Sequence, residues 1–240
     1  MRIALIIIAI VLVGCKKSAD RACFKSNGKE TSEIRQLDSF TTLGLNGLFK
    51  LKLVEDTETY CRITGPENLI PFISTEVSNG IIRINDLNKC RFLRSYQYEI
   101  NIELHGNNWQ QITSYGPTYV YSTDTLTISS LRIDGKKSSN DFNLILKGDT
   151  LYTDLSGPTD LILEGLLDFC YLYHTGTGNV NTHKLVAPFL HVHSRGIGDF
   201  RLQTFNTFIA EVRSEGNVYY RGTPATLLTD VTGKGKLVKE

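Results

Sequence analysis

A short pattern recurs along the second half of this chain at a nearly fixed spacing, and it limits the possible folds more than any other feature. A small or polar residue and a glycine precede an Asp or Asn, and an apolar residue follows. The copies are Ser156-Gly157-Pro158-Thr159-Asp160-Leu161, Thr175-Gly176-Thr177-Gly178-Asn179-Val180 and Arg195-Gly196-Ile197-Gly198-Asp199-Phe200. A shorter copy is Ser214-Glu215-Gly216-Asn217-Val218, and a degenerate one is Thr232-Gly233-Lys234-Gly235-Lys236-Leu237. The apolar markers Leu161, Val180, Phe200, Val218 and Leu237 are 19, 20, 18 and 19 residues apart, and Val120 and Phe142 extend the series upstream. A period of this size with glycine-rich corners and no helical pattern is the signature of a β-solenoid. One coil cannot bury its apolar residues alone, whereas coils stacked about 4.8 Å apart share a core and hydrogen-bond along the axis. The markers are then expected to form one inward ladder. Glycine, with Asn and Asp, is expected at the corners because these residues tolerate positive φ.

No segment after residue 15 shows sustained helical periodicity, and alternation is common instead. Phe49, Leu51 and Leu53 alternate with Lys50 and Lys52, and Ile100, Ile102 and Leu104 alternate with Asn101 and Glu103. Ile81-Ile82-Arg83-Ile84 follows the turn Ser78-Asn79-Gly80. Alternation bounded by Gly, Asn and Asp indicates half-buried strands. A helical turn is expected only over residues 66–73. The chain is therefore all-β, with an N-terminal β region over 36–112 and parallel β-helix repeats over 113–240.

The first residues carry a different signal. Met1-Arg2 is followed by an unbroken apolar run over 3–13 and then by Gly14-Cys15. The run is about half of the roughly 20 residues that a spanning helix needs, and it fits a signal-peptide core. A small residue before Cys15 resembles a bacterial lipobox. Residues 1–14 are expected to be removed, leaving Cys15 as the lipid-bearing first residue. Acyl chains contribute about 0.8 kcal/mol per buried CH₂, so an acylated Cys15 would anchor the chain to a membrane. Lys16, not an aspartate, directly follows Cys15, which indicates the outer membrane, on either its periplasmic or its external face. Residues 15–35 are polar and are expected to be a flexible tether.

Of the 26 basic residues only Arg2 lies in residues 1–14, so 25 basic and 25 acidic residues remain, a formal balance of zero. That argues against a nucleic-acid partner, which requires a basic face. Four cysteines remain besides Cys15: Cys23, Cys61, Cys90 and Cys170. Export permits disulfides, and a Cys61–Cys90 bridge is favoured among the three connectivities. Cys170 lies inside a repeat and is expected to be a buried small apolar residue.

At this point the residues resemble a known family. The glycine-rich copies, closing with Asn217-Val218-Tyr219-Tyr220-Arg221-Gly222-Thr223-Pro224, are similar to the head GIN domain of auto-transporter adhesins. The segment Gly65-Pro66-Glu67-Asn68-Leu69-Ile70-Pro71-Phe72 resembles the N-terminal portion of that family. The likeness runs from about residue 36 to the C-terminus, and the chain departs from the pattern at Pro158-Thr159 and Glu215-Gly216. The resemblance implies a right-handed parallel β-helix and an exported, lipoprotein-rich family. It supplies no catalytic residues.

Several constellations bear on chemistry. His191 and His193 share a strand face, and aligning the repeats sets His174 one coil from His193. Three imidazoles at such spacing could hold zinc, but no Cys or carboxylate completes the set, and a surface ladder of stacked histidines is the simpler reading. The series Asp160, Asn179, Asp199, Asn217 suggests calcium. Its two aspartates lie two coils apart, roughly 9.6 Å, while calcium ligands lie about 2.3–2.6 Å from the ion, so corner turns explain it better. Arg195 and Arg213 sit at neighbouring corners without the grouped carboxylates of a polysaccharide lyase. Tyr171, Tyr173, Tyr219 and Tyr220 could form a carbohydrate-stacking face, or fill core and cover strands. No catalytic residue, cofactor or metal is expected. The leading functional expectation is a non-catalytic cell-envelope lipoprotein with a surface for adhesion or for binding glycan or protein. The alternatives are a periplasmic envelope scaffold and, less favoured, a carbohydrate-active β-helix enzyme.

Overall fold

The computed structural model describes residues 26–89, 98–136 and 138–240. Period-two alternation dominates these residues, and they form nineteen strands with no α-helix among them. The N-terminal strands are β1 (Glu30–Gln36), β2 (Thr42–Asn46), β3 (Phe49–Glu55), β4 (Tyr60–Pro66), β5 (Ile73–Ser78), β6 (Ile81–Asp86) and β7 (Asn101–Gly106). The middle strands are β8 (Gln111–Ser114), β9 (Thr118–Tyr121), β10 (Leu126–Gly135), β11 (Asp141–Leu155) and β12 (Asp160–His174). The last are β13 (Val180–Val186), β14 (Phe189–Ser194), β15 (Phe200–Gln203), β16 (Thr207–Val212), β17 (Val218–Arg221), β18 (Thr226–Val231) and β19 (Leu237–Lys239). A 3₁₀ turn over Ile70–Phe72, with Pro71 in its first turn, occupies the segment expected to be helical.

The strands build a β-solenoid of about six turns. One wall stacks β2, β8, the C-terminal halves of β10, β11 and β12, then β14, β16 and β18, all in parallel. A second wall stacks β3, β9, the N-terminal parts of β11 and β12, then β13, β15, β17 and β19, also in parallel. Every marker residue aligns as the period requires. Val120, Phe142, Leu161, Val180, Phe200, Val218 and Leu237 are successive partners, and Leu51 precedes them. From Leu51 to Val218 each is at most 1% exposed. Each such side chain contributes about 1.5–3 kcal/mol by leaving water.

The parallel stacking begins before residue 113. β2 pairs with both β6 and β8, and β3 with both β7 and β9. These early coils visit the walls out of chain order, so they leave no constant spacing in the sequence. The stack ends differently at its two ends. At the N-terminal end β5 and β6 form an antiparallel hairpin, and β4 lies antiparallel on β7 with β1 antiparallel on β4. At the other end the inward positions Leu227 and Val231 of β18 are 42% and 45% exposed.

Residues 30–35 were expected to belong to the tether, and this is corrected by β1. Its side chains are almost all exposed, so it is held by backbone pairing to β4 and carries no hydrophobic alternation to reveal it. Cys170 is fully buried, as its repeat position required, and burial raises its thiol far above the ordinary value. Cys61 is a free buried thiol on β4, pushed up to about 11 mainly by burial. Its expected partner Cys90 lies outside the described residues, as do Cys15 and Cys23.

The corners bear out the expected positive φ at Gly157, where φ is 76°, and correct it at the later copies. Gly176, Gly178, Gly196, Gly198 and Gly216 do not have positive φ. They are required because the neighbouring coil passes where a Cβ would stand. A Cβ on Gly176 would lie 1.7 Å from the Gly157 carbonyl oxygen, and one on Gly196 would lie 2.0 Å from that of Gly176. The Asp/Asn column runs beside them as a hydrogen-bonded ladder. The N–H groups of Asp160, Asn179, Asp199, Asn217 and Lys236 donate to the side-chain oxygens of Asp141, Asp160, Asn179, Asp199 and Asn217, at 3.2, 2.7, 3.1, 2.9 and 3.0 Å. This is a corner role. Lys236 occupies the next position of the column without a side-chain acceptor, so the ladder is not offered further.

Candidate functional site

On the first wall, alternation turns Leu151, Cys170, Leu190 and Phe208 inward and leaves the residues between them outward. Parallel register then stacks the outward residues into columns. One column is Tyr152, Tyr171, His191, Ile209 and Leu228, and a second is Asp134, Asp154, Tyr173, His193, Glu211 and Asp230. Phe169 and Phe189 pair beside them. Ring centroids are 5.1 Å apart for Phe169 and Phe189, 5.5 Å for Tyr152 and Phe169, and 6.2 Å for Tyr152 and Tyr171. Tyr171 meets His191 edge-on at 4.8 Å, and Tyr173 meets His193 edge-on at 5.0 Å. Five rings thus run in unbroken contact from Phe189 to His191, and the Tyr173–His193 pair stands two residues further along the same strands, so seven rings lie on the outside of one wall. Such pairs contribute about 0.5–1.5 kcal/mol beyond area burial, so the band is ordered before any ligand arrives.

Charged groups frame the band along the solenoid axis. Towards the N-terminal end, Lys136 is 2.8 Å from Asp154, and Arg132 is 2.9 Å from Asp134. Towards the C-terminal end, the His191 imidazole lies 2.9 Å from Glu211, which also accepts from Arg213 at 3.0 Å, while Arg213 reaches on to Asp230. The His191 hydrogen bond, followed by that of Arg213, holds the Glu211 carboxyl below its ordinary value. Burial depresses the His193 imidazole and raises the Tyr171 phenol. Aromatic rings flanked by paired charges can take the apolar face of a ligand in the middle and its polar groups at either end.

His174 is not on this face, and the three-imidazole set does not form. It pairs with Ser194 rather than with His193, and its side chain points into the core at 1% exposure. A single residue of register decides this, since a one-residue slip exchanges the faces. His174 serves a corner instead. Its Nε2–H donates to the Thr159 carbonyl at 2.9 Å, and its Nδ1 accepts the Gly176 N–H at 3.1 Å. Among the described residues no group of three His, Cys, Asp or Glu is arranged to hold a metal ion.

That geometry gives a pH prediction. Burial lowers the His174 pKa below its ordinary 6.5, and a proton on Nδ1 would face the Gly176 N–H. Below pH 6.5 the unfolded chain therefore takes up a proton that the folded one refuses, and stability falls as pH drops towards the depressed folded value. Denaturant midpoints should decrease between pH 7.5 and 5.5. His174→Asn should be less stable at pH 7.5 and lose less over this interval, whereas equal losses in the two proteins would remove His174 from the account.

The four tyrosines considered from sequence separate. Tyr171 and Tyr173 lie in the band, Tyr219 lies on the second wall with Arg201 5.3 Å from its ring, and Tyr220 is buried against Phe208 at 5.3 Å. Arg195 is exposed at a corner, and Arg213 pairs with Glu211 and Asp230. Asp160 is occupied in the corner ladder. Tyr152, Phe169 and Phe189 were missed. Their signal was the same 19- or 20-residue spacing, read one wall further round the coil.

The comparisons with known proteins concern this whole architecture. The family model described as "Putative auto-transporter adhesin, head GIN domain" matches residues 39–224. A "putative adhesin" of Bacteroides fragilis superposes with TM-score 0.81 at 22% identity, covering 88% of this chain and 97% of its own. A "putative adhesin" of Parabacteroides merdae gives TM-score 0.66 at 17% identity, with 90% and 97% covered. One of Parabacteroides distasonis gives TM-score 0.64 at 17% identity, with 89% and 98% covered. At these identities the likeness establishes the fold alone. No curated protein matches the chain.

Proposed function

The chain belongs to the head GIN domain family of auto-transporter adhesins, and from that membership we propose that it is a non-catalytic, lipid-anchored protein of the cell envelope whose aromatic wall binds glycan or protein. The observation that carries the reading is the band of seven rings, framed by paired charges and fixed on a stacked parallel wall. Rigid aromatic side chains give contact area at low cost in conformational entropy, and they dominate binding surfaces for that reason.

The sequence of residues 1–15 supports the anchor. With Cys15 acylated, residues 16–25 separate the lipid from Ser26, whose carbonyl already accepts the Asn68 side-chain amide at 3.0 Å, and they span at most roughly 35 Å. The tether enters at the N-terminal end of the stack, where β1 lies, so the later coils extend away from the point of attachment. The nine strands of the first wall from β6 to β18 have an axial length of about 38 Å. Replacing Cys15 with Ala should abolish incorporation of labelled palmitate.

Binding is tested with the full chain on an array of defined glycans and matrix proteins. Exchanging Tyr171 and Tyr173 together for Ala should weaken retention at least about tenfold, whereas Tyr219→Ala on the other wall should leave it unchanged. No retention on any glycan or protein would refute the reading. Protease added to intact cells distinguishes the two sides of the membrane. Digestion supports an external adhesin, and protection until lysis supports a periplasmic scaffold.

A further inference from the structure

A concave site lies on the other wall, away from the aromatic band. It is a cleft of about 390 Å³ where β3, β9 and β11 begin and the chain enters β7. Its floor is Phe49, Ile100 and Thr118, all buried. The Thr118 hydroxyl donates to the Gly47 carbonyl at 2.9 Å, which pins the floor to the neighbouring corner. Tyr98, Tyr119, Leu48 and Pro117 give the cleft apolar sides. The Tyr119 ring is held by stacking on Tyr121 at 5.2 Å. Lys50, Glu99, Ser139 and Asp141 form a polar rim.

The rim chemistry restricts the ligand. Lys50 is already paired with Glu99 at 2.8 Å, and among the described lining residues Asp141 is the remaining ionised group. Among the described lining residues that balance is negative, which disfavours phosphates and carboxylates. A wholly apolar ligand would strip water from Asp141, Glu99 and Lys50 without replacing their hydrogen bonds. A sugar ring satisfies both sides, since its C–H face packs on tyrosine and its hydroxyls donate to carboxylates. The volume is within the usual range for a small-molecule site, about 300–1,000 Å³. Asp141 is also the first acceptor of the corner ladder, receiving the Asp160 N–H at 3.2 Å. Its position is therefore fixed by the solenoid before any ligand arrives.

The structure assigns this cleft as a binding site for a single neutral sugar residue, stacked on Tyr119 and hydrogen-bonded by Asp141. It is independent of the aromatic band. The test uses the full chain and saturation-transfer NMR with glucose, galactose, mannose, N-acetylglucosamine and N-acetylgalactosamine as free probes. At least one should bind. Asp141→Asn keeps an oxygen acceptor for the ladder while removing the charge, so it should retain the wild-type melting midpoint and lose at least tenfold in affinity. Tyr119→Ala should lose at least as much, and the Tyr171→Ala, Tyr173→Ala double variant should bind as the wild type does. The assignment is overturned if none of the five sugars binds. It is equally overturned if binding survives both cleft substitutions, and loss in the band variant alone would transfer the sugar to the aromatic wall.

Discussion

Gly198→Ala should destabilise the protein by about 3 kcal/mol or more, at the upper end of what overpacking costs. A Cβ at this position would stand 1.6 Å from the Gly178 carbonyl oxygen. The corner cannot move away, because Gly198 is itself covered by Gly216, whose own Cβ would lie 2.1 Å from the Gly198 carbonyl oxygen. The backbone is further tied to its neighbours by Ile197 N–H to the Gly176 carbonyl at 3.0 Å and Gly216 N–H to the Gly196 carbonyl at 3.1 Å. Strain from positive φ plays no part, since Gly198 does not have it. Equilibrium unfolding in denaturant measures the loss. Ile197→Ala, one residue away but 57% exposed, should stay within about 0.5 kcal/mol of wild type. If Gly198→Ala stayed equally close, the steric account of the corners would be wrong.

Phe208→Ala should cost about 3–5 kcal/mol, the range for removing a buried aromatic. Phe208 is fully buried between Leu190 and Leu227 in the first-wall column and packs on Tyr220. Leu227 occupies the same column one rung later, yet it is 42% exposed because among the described residues β18 is paired only with β16. Leu227→Ala should therefore cost less than about 1 kcal/mol, since much of its surface never leaves water. Thermal or denaturant unfolding of the two variants side by side compares one chemical environment with and without a covering coil. A large loss at Leu227 that grew with protein concentration would mean that something covers the open end in solution.

How much could be read from the chain depends on whether a feature repeats. The marker column from Val120 to Leu237 was legible because parallel coils return to the same wall after nearly the same number of residues. The strands around Leu51, Ile82 and Ile102 were legible from alternation alone. β1 was not, because a strand held by backbone pairing and by the polar contacts of Arg35 and Ser32 leaves no apolar pattern. Nor was the early stacking of β2 and β3, whose neighbours in space are distant and unevenly spaced in sequence. The histidines show the same limit within the repeat. Spacing brings His174 close to His193 on adjacent coils, but pairing of Tyr173 with His193 turns His174 to the opposite face.

The sequence by itself determined the solenoid, its period, its inward ladder and the corner position of the Asp and Asn residues. Periodicity is a local property that every coil states again. Tertiary structure alone decided which outward residues meet across coils, and so which rings and charges form a surface. It also decided why the corner glycines from Gly176 onward are glycine. Their constraint is a carbonyl of the neighbouring coil some 20 residues away in the chain, and contacts of that kind exist only once the coils are stacked in register.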